Sequence, residues 1–325
     1  MEHTLSHHLK TVEQIFSEEN FLFEPKELYE PIDYTLRLGG KRIRPTLLLA
    51  AGCMFGADEQ TLRGAALGIE TFHNFTLLHD DLMDRSPLRR GQPTVYCKWN
   101  ENTAVLSGDT MFALAWRFML RQPAPQLQAI LQCFNETAIE VCEGQQKDMN
   151  FEHRSSVTIA EYMDMIRQKT AVLLAGALKI GALYGNAPAP DLDNLYQFGI
   201  HLGLAFQLQD DLLDSYGDTA VFGKKTGQDI RDNKKTYPLL RALQLASETQ
   251  RRQLHDLFTN PATDEEDKVR QVLALYDAIG LRPHIEKAIA DEFAQAKASL
   301  DRIAADETLK TPLRELMETL FSRKK

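Results

Sequence analysis

Two stretches too apolar for a surface helix, GIETFHNFTLL at 68–78 and GIHLGLAFQLQ at 199–209, each run into a tight set of aspartates. The first set is Asp80, Asp81 and Asp84; the second, 130 residues after the first, is Asp210, Asp211 and Asp214. Apolar residues recur at helical spacing almost everywhere, and the alternating β-branched runs expected of strands are scarce. The expected fold class is all-α. Two buried helices then end in the same chemical device.

Start and stop signals agree with that reading. Thr158 with Glu161, and Thr263 with Glu266, fit capping boxes in which hydroxyl and carboxylate satisfy free amides of a first turn. LRQPAPQ at 120–126 and YGNAPAPD at 184–191 are breaks, so helices of roughly 15 to 25 residues joined by short turns are expected. No break has linker composition and no repeat of 20 to 50 residues stands out, so residues 1–325 read as one domain.

With 43% hydrophobic residues in 325, the chain can bury a sizeable core. A net charge of −9 argues against a nucleic-acid binder, which needs a basic stripe. The start, MEHTLSHHLK, is polar and no stretch of 18 residues lacks charged or strongly polar groups, so neither export nor stable membrane insertion is expected. Cys53, Cys97, Cys133 and Cys142 form no CxxC pair and have no zinc-type histidine spacing; they read as core or inert thiols in a reducing, cytoplasmic setting.

On a helix, residues i and i+4 share a face about 6 Å apart along the axis, so Asp80 with Asp84 and Asp210 with Asp214 each make a carboxylate edge, flanked by Asp81 and Asp211. Three acids so close repel unless a cation neutralises them. With no imidazole or thiolate in either set, the ion that suits them is hard and oxygen-seeking, such as Mg²⁺, which completes its shell with waters and substrate phosphates. Basic clusters beside glycines and turns point to the same kind of ligand. LGGKRIRP supplies Lys41, Arg42 and Arg44, PLRRGQP supplies Arg89 and Arg90, and FGKKTGQDIRDNKKTYP supplies Lys224, Lys225, Lys234 and Lys235. Glycine lets backbone come close to an anion, and guanidinium and ammonium groups bind phosphate oxygens. Arg42 and Lys225 read as ordinary solvated loop charges.

In this order the motifs resemble the trans-prenyltransferase family, the head-to-tail polyprenyl diphosphate synthases that include farnesyl and geranylgeranyl diphosphate synthases. DDLMD and DDLLD resemble its two aspartate-rich motifs, and GGKRIRP, LRRGQPT, GQQKDM, KTAVLL, FQLQDD and GKKTGQDIRDNKKT its other signatures, from about residue 39 to 238. The resemblance implies an all-α bundle around a deep central cavity, as a homodimer. It implies that Asp80, Asp81, Asp84, Asp210 and Asp214 hold three Mg²⁺ ions on an allylic diphosphate, with Asp211 nearby. Arg89, Lys169, Lys224 and Lys234 would contact the same diphosphate, and Lys41, Arg44, His73 and Arg90 would take isopentenyl diphosphate. Thr170 and Gln207 would turn oxygens toward the developing allylic cation.

A growing prenyl chain needs an apolar tunnel below the aspartates. Thr76 and Phe75 lie about 6 to 7.5 Å down the helix from Asp80, and Phe72 about 12 Å. An aromatic at Phe75 with the small Thr76 resembles short-chain enzymes of the geranylgeranyl type, so a product of fifteen to twenty carbons is expected, leaning to twenty. His3, His7 and His8 read as carrying no function. The resemblance implies that Glu143, Gln145 and Asp148 support the pocket, with capping or surface polarity as the alternative, and Met149, Phe151 and the Leu, Met and Phe residues of TMFALAWRFML read as core. Gln228 stands where the family often has glycine, and the SRKK tail resembles basic termini that close over isopentenyl diphosphate. Within the family the alternatives are a farnesyl or a longer-chain synthase; outside it, competing readings are a terpene cyclase or head-to-head synthase, the cyclases generally lacking the isopentenyl site supplied here by Lys41, Arg44 and Arg90, and a non-catalytic regulatory subunit, which would be expected to lose acidic-motif residues.

Overall fold

The computed structural model describes residues 4–217, 226–259 and 264–322. It forms two compact units: Met1–Asn135 with Gly176–Leu195 and Ala304–Glu315, and Glu136–Ala175 with Tyr196–Ile303 and Leu316–Lys325. Four of the five boundaries between them fall inside helices α7 (Leu127–His153), α9 (Val172–Tyr184), α10 (Ala189–Tyr216) and α16 (Glu307–Phe321), and the fifth, at Ile303/Ala304, in the short connection before α16. The breaks read at 120–126 and 184–191 separate α7 and α10 from the helices before them.

The first unit contains α1 (Leu5–Glu18), α2 (Lys26–Arg37), α3 (Ile43–Met54), α4 (Glu59–Met83), α5 (Val95–Lys98) and α6 (Glu101–Met119). Helix α3 is buried from Pro45 to Met54, which explains its almost unbroken apolar sequence. Helix α4 spans 25 residues, about 37 Å, and carries the first aspartates in its last turn. It packs on α6 at backbone distance: a β-carbon on Gly64 would stand 2.6 Å from the Phe118 carbonyl oxygen. The all-α expectation holds, with one short exception among the described residues, a hairpin of β1 (Leu88–Arg89) and β2 (Gln92–Pro93). Its two connecting residues, Arg90 and Gly91, both have positive φ, 55° and 75°, as a two-residue hairpin turn of matching twist requires.

Arg42 is not the solvated loop charge expected. It is buried, with Nη1 donating to Glu70 Oε1 at 2.9 Å, Nη2 to the Leu36 carbonyl at 2.6 Å, and its guanidinium 4.5 Å from the centre of the Phe16 ring. A charge this deep is tolerated because its partner and its hydrogen bonds are supplied together.

The second unit contains α8 (Ile159–Ile166), a π-helical turn at Arg167–Ala171 that leads into α9, α11 (Gln228–Arg231), α12 (Tyr237–Leu245), α13 (Glu248–Thr259), α14 (Glu265–Ile279) and α15 (Arg282–Asp301). The Thr158–Glu161 capping box forms as expected. At α14 the cap is Asp264, which accepts from the Asp267 amide at 3.0 Å, and Thr263 lies outside the described residues. Helix α10 presses against the π turn and the start of α9 through Gly199 and Gly203; a β-carbon on Gly203 would lie 2.5 Å from Ala171 Cα. That closeness brings Thr170 and Gln207 within hydrogen-bonding distance.

Candidate active site

In the first unit Asp80, Asp81 and Asp84 close α4. The carbonyls ending a helix carry partial negative charge, so carboxylates there are disfavoured unless a cation joins them. Asp81 is buried and held by Arg89, whose Nε donates to Oδ1 at 2.9 Å and whose Nη2 reaches the same oxygen. Burial raises the Asp81 carboxyl above its ordinary range, against the lowering effect of Arg89. Asp80 is half-buried, 3.9 Å from Arg89 Nη2, and Asp84 is exposed. The hairpin aims Arg89 back at the helix it follows.

The turn of that hairpin carries Arg90, whose Nη1 donates to the Gly39 carbonyl. The paired glycines serve this contact: at Gly40, φ 139°, a β-carbon would stand 2.7 Å from the Arg90 guanidinium. Arg44 Nη1 donates to His73 Nε2 at 2.9 Å. Burial first, then Arg44, Arg90, Arg89 and Arg42, hold the His73 imidazole well below its ordinary pKa, so the ring is neutral. Burial lowers Arg44 to about 10, with Glu70 opposing and Arg90 adding to the shift, and burial with Arg42 and Arg89 lowers Arg90. Cations that depress one another's pKa are poised for an anion. Lys41, in the same glycine loop, is exposed.

The second unit gathers Lys169, Thr170, Gln207, Asp211 and Lys234 around a cavity of about 110 Å³. Asp211 is buried: Oδ2 accepts from the Tyr162 hydroxyl and, at 3.4 Å, from the Tyr237 amide, while Oδ1 accepts from Gln207 Nε2 at 3.1 Å. Burial nonetheless pushes its pKa up to about 7. Thr170 Oγ1 donates to Gln207 Oε1 at 3.1 Å, so the amide is fixed at both ends. Lys169 Nζ donates to Asp148 Oδ2 at 2.6 Å, which gives Asp148 a definite place beside the pocket. Gln168 Nε2 donates to Glu143 Oε2 at 3.0 Å.

Sequence reasoning passed over Asp229. Burial, Asp214 and Asp211 push its carboxyl well above the usual range, with Lys234 opposing. Asp214 accepts from the amides of Gln228 and Asp229, each at 3.1 Å, at the start of α11, and burial raises it too. The signal was present as an aspartate inside a basic loop, GQDIRDNKK, where acid among lysines is out of place. The oxygen-only donor set, raised by burial and mutual repulsion, fits a hard cation such as Mg²⁺.

Phe72 is fully buried among Phe75, Phe112 and Phe134, with ring centres 5.5, 5.8 and 5.6 Å away. Phe75 and Thr76 are half-buried, and Thr76 Oγ1 donates to the His73 carbonyl at 2.8 Å. Phe112, expected in the core, is half-buried and stacks on Phe75 at 5.4 Å. Met149, also expected in the core, is 38% exposed, and Phe151 is buried but lines the pocket of the second unit. Lys224, Lys225 and the last three residues of the SRKK tail lie outside the described residues.

Comparison with known proteins bears on this arrangement. The geranylgeranyl diphosphate synthase of Methanosarcina mazei is 35% identical over 92% of this chain and 90% of its own. A solved geranylgeranyl pyrophosphate synthase superposes with a TM-score of 0.94, at 38% identity and 99% coverage of both chains. The geranylgeranyl pyrophosphate synthetase of Pyrococcus horikoshii does so with 0.90, at 31% identity and 98% coverage of both. The model of the polyprenyl synthetase family matches residues 25–276, a span that holds both aspartate sets, the arginine–histidine cluster and the lysine-lined pocket. With motifs, fold and family model in agreement, the chain belongs to the polyprenyl synthetase family and is a prenyltransferase.

Proposed function

We propose that this prenyltransferase joins isopentenyl diphosphate head to tail to an allylic diphosphate, whether dimethylallyl, geranyl or farnesyl, and releases diphosphate, with geranylgeranyl diphosphate as the product. The observation that carries the reading is the cluster of Arg44, His73 and Arg90. Burial first, and neighbouring guanidinia after it, lower both arginines and hold the imidazole neutral, a setting that favours a bound anion. A cyclase has no second diphosphate to place there. The twenty-carbon length is supported by the names of the relatives and by Phe75 with Thr76 below the first aspartates.

Lys41, Arg44, His73 and Arg90 take isopentenyl diphosphate. Asp80, Asp81, Asp84, Asp210 and Asp214 would hold three Mg²⁺ on the allylic diphosphate, with Asp211 near Asp210 and Asp214. The family is generally Mg²⁺-dependent, and bound Mg²⁺ supplies the Lewis acid that stabilises the departing diphosphate. Arg89, Lys169, Lys224 and Lys234 neutralise the same group as the carbon–oxygen bond ionises. The Gln207 amide, fixed by Thr170 and Asp211, and the Thr170 hydroxyl present oxygen dipoles to the allylic cation. The isopentenyl double bond attacks that cation, and the proton lost passes to the released diphosphate.

The same reading takes residues 1–325 as one polyprenyl synthase domain, since the family match runs through both units. It takes the working form as a homodimer, as the family resemblance implies. It places the enzyme in the cytoplasm, with no helix among the described residues long and apolar enough to cross a membrane and with four free cysteines. Chromatography of products formed from isopentenyl diphosphate with each allylic primer tests the assignment. Twenty-carbon diphosphate and its loss on chelation are expected; no diphosphate release by the folded chain with Mg²⁺ would overturn it.

A further inference from the structure

Glu59 opens α4, at the opposite end of that helix from Asp80. Two neighbouring imidazoles of α1 converge on it: His7 Nε2 lies 3.0 Å and His8 Nδ1 3.2 Å from the same Oε1. Thr11 Oγ1 donates to the other carboxylate oxygen at 3.2 Å and fixes its rotation. Consecutive residues of a helix diverge by about 100°, so a shared target for both rings is unusual. Here the rings are nearly edge-on to each other, 5.6 Å between centres and 62° between planes. One donor atom from each of the three side chains lies within 4.8 Å of the other two. His8 is buried, whereas the His7 and Glu59 side chains keep 35% and 22% of their surface accessible, which leaves an approach from solvent.

We propose that His7, His8 and Glu59 form a binding site for a divalent transition metal of the zinc class, apart from the aspartate motifs. Two imidazoles with one carboxylate suit a borderline-soft ion, whereas Mg²⁺ prefers oxygen alone and octahedral geometry. Tetrahedral coordination at the usual zinc–nitrogen and zinc–oxygen distances sets donors about 3.3 Å apart. Two of the three separations already stand at 3.0 and 3.2 Å, and turning the accessible His7 ring adjusts the third. Thr11 plays the part of an outer partner that orients a ligand. A fourth position is open to water. The ion would tie α1 to the start of α4, so its effect is on stability and not on turnover.

The test uses the full chain without an added histidine tag, stripped by chelation and returned to buffer with millimolar Mg²⁺ to fill the oxygen sites. Zn²⁺ is titrated by calorimetry and thermal unfolding, and Cu²⁺ is added as a paramagnetic probe of nitrogen ligation. One Zn²⁺ per chain, a higher unfolding midpoint and a two-nitrogen Cu²⁺ spectrum are expected. His7→Gln and Glu59→Gln should each weaken Zn²⁺ binding at least tenfold while prenyl transfer with Mg²⁺ stays at the wild-type rate. His8 is left intact because its burial makes substitution a folding risk. Zn²⁺ binding unchanged in both variants, or an oxygen-only Cu²⁺ spectrum, overturns the site. So does binding lost with His7→Gln but kept with Glu59→Gln, which would assign the ion to the terminal histidines alone.

Discussion

Gly144 of α7 is the residue on which the placement of Lys169 and Thr170 turns. A β-carbon there would lie 2.3 Å from the Lys169 amide nitrogen and 2.8 Å from both the Gln168 carbonyl carbon and Lys169 Cα. Ordinary contact begins near 3.4 Å, so Gly144→Ala must move α7 and the π turn apart by about 1 Å. The obstacle is main chain, which has no rotamer with which to give way. Overpacking of this kind costs about 1–3 kcal/mol. The displacement is delivered to the turn that carries Lys169 and Thr170, and misplacement of about 1 Å at a reacting centre can lower a rate on the order of 100-fold. Urea unfolding should therefore show a lower midpoint with an unchanged slope. Steady-state assays should show kcat reduced on the order of 10- to 100-fold and a higher KM for the allylic diphosphate. Wild-type stability together with wild-type kcat in Gly144→Ala would refute the argument that this contact sets the turn.

Tyr162→Phe removes a hydroxyl that donates to buried Asp211, whose pKa already stands at about 7. The carboxylate loses support, its pKa rises further, and the acidic limb of kcat/KM should move to higher pH; an unmoved profile would show that Asp211 ionisation does not matter to the reaction. His73 is held well below its ordinary pKa, so below about pH 6.5 the unfolded chain takes up a proton that the folded chain refuses. Its contribution is present above that pH and lost as pH falls, at up to about 1.4 kcal/mol per unit. His73→Gln should flatten the fall in unfolding free energy between pH 6.5 and 5, measured by urea titration at each pH. On the proposed reading of Phe75 as the stop, Phe75→Ala should lengthen the product. Phe72→Ala, deep in the aromatic cluster, should instead lose about 3–5 kcal/mol of stability, and equal product shifts in both would count against that distinction.

How far each feature could be read ahead of the structure follows the range of the interaction behind it. The Thr158–Glu161 cap was legible because its partners lie three residues apart, and the proline breaks because they act on their own backbone. Arg42 was misread because Glu70, which makes its burial tolerable, stands 28 residues away on another helix. The π turn at 167–171 was invisible for a different reason: IRQKTAVLL has ordinary helical spacing, and what widens the turn is not spacing. The hairpin at 88–93 is two residues per strand, too short for any alternating pattern to show. The paired glycines were legible as glycines, but the group that needs their missing side chains is Arg90 from the hairpin turn.

The acidic sets were legible because they break a local rule twice. A helix favours cations in its last turn, yet α4 and α10 both put aspartates there. Burial adds a second cost. Asp211 is raised to about 7 and Asp229 well above the carboxylate range, so in the folded chain protonation is favoured where the unfolded chain would be ionised. For such groups stability is greatest below the unfolded pKa of about 4 and falls as pH rises toward the folded value, which leaves the cluster under strain near neutrality. Hydrogen bonds from Tyr162, Gln207 and the Tyr237 amide lessen the strain at Asp211 without removing it, since the pKa remains raised with all of them in place. Added positive charge, such as a bound cation, would relieve it further. On the proposed reading, acids in the last turns of two helices are there for a ligand, and this is why the chemistry could be read from the ten letters of DDLMD and DDLLD while much of the packing around them could not.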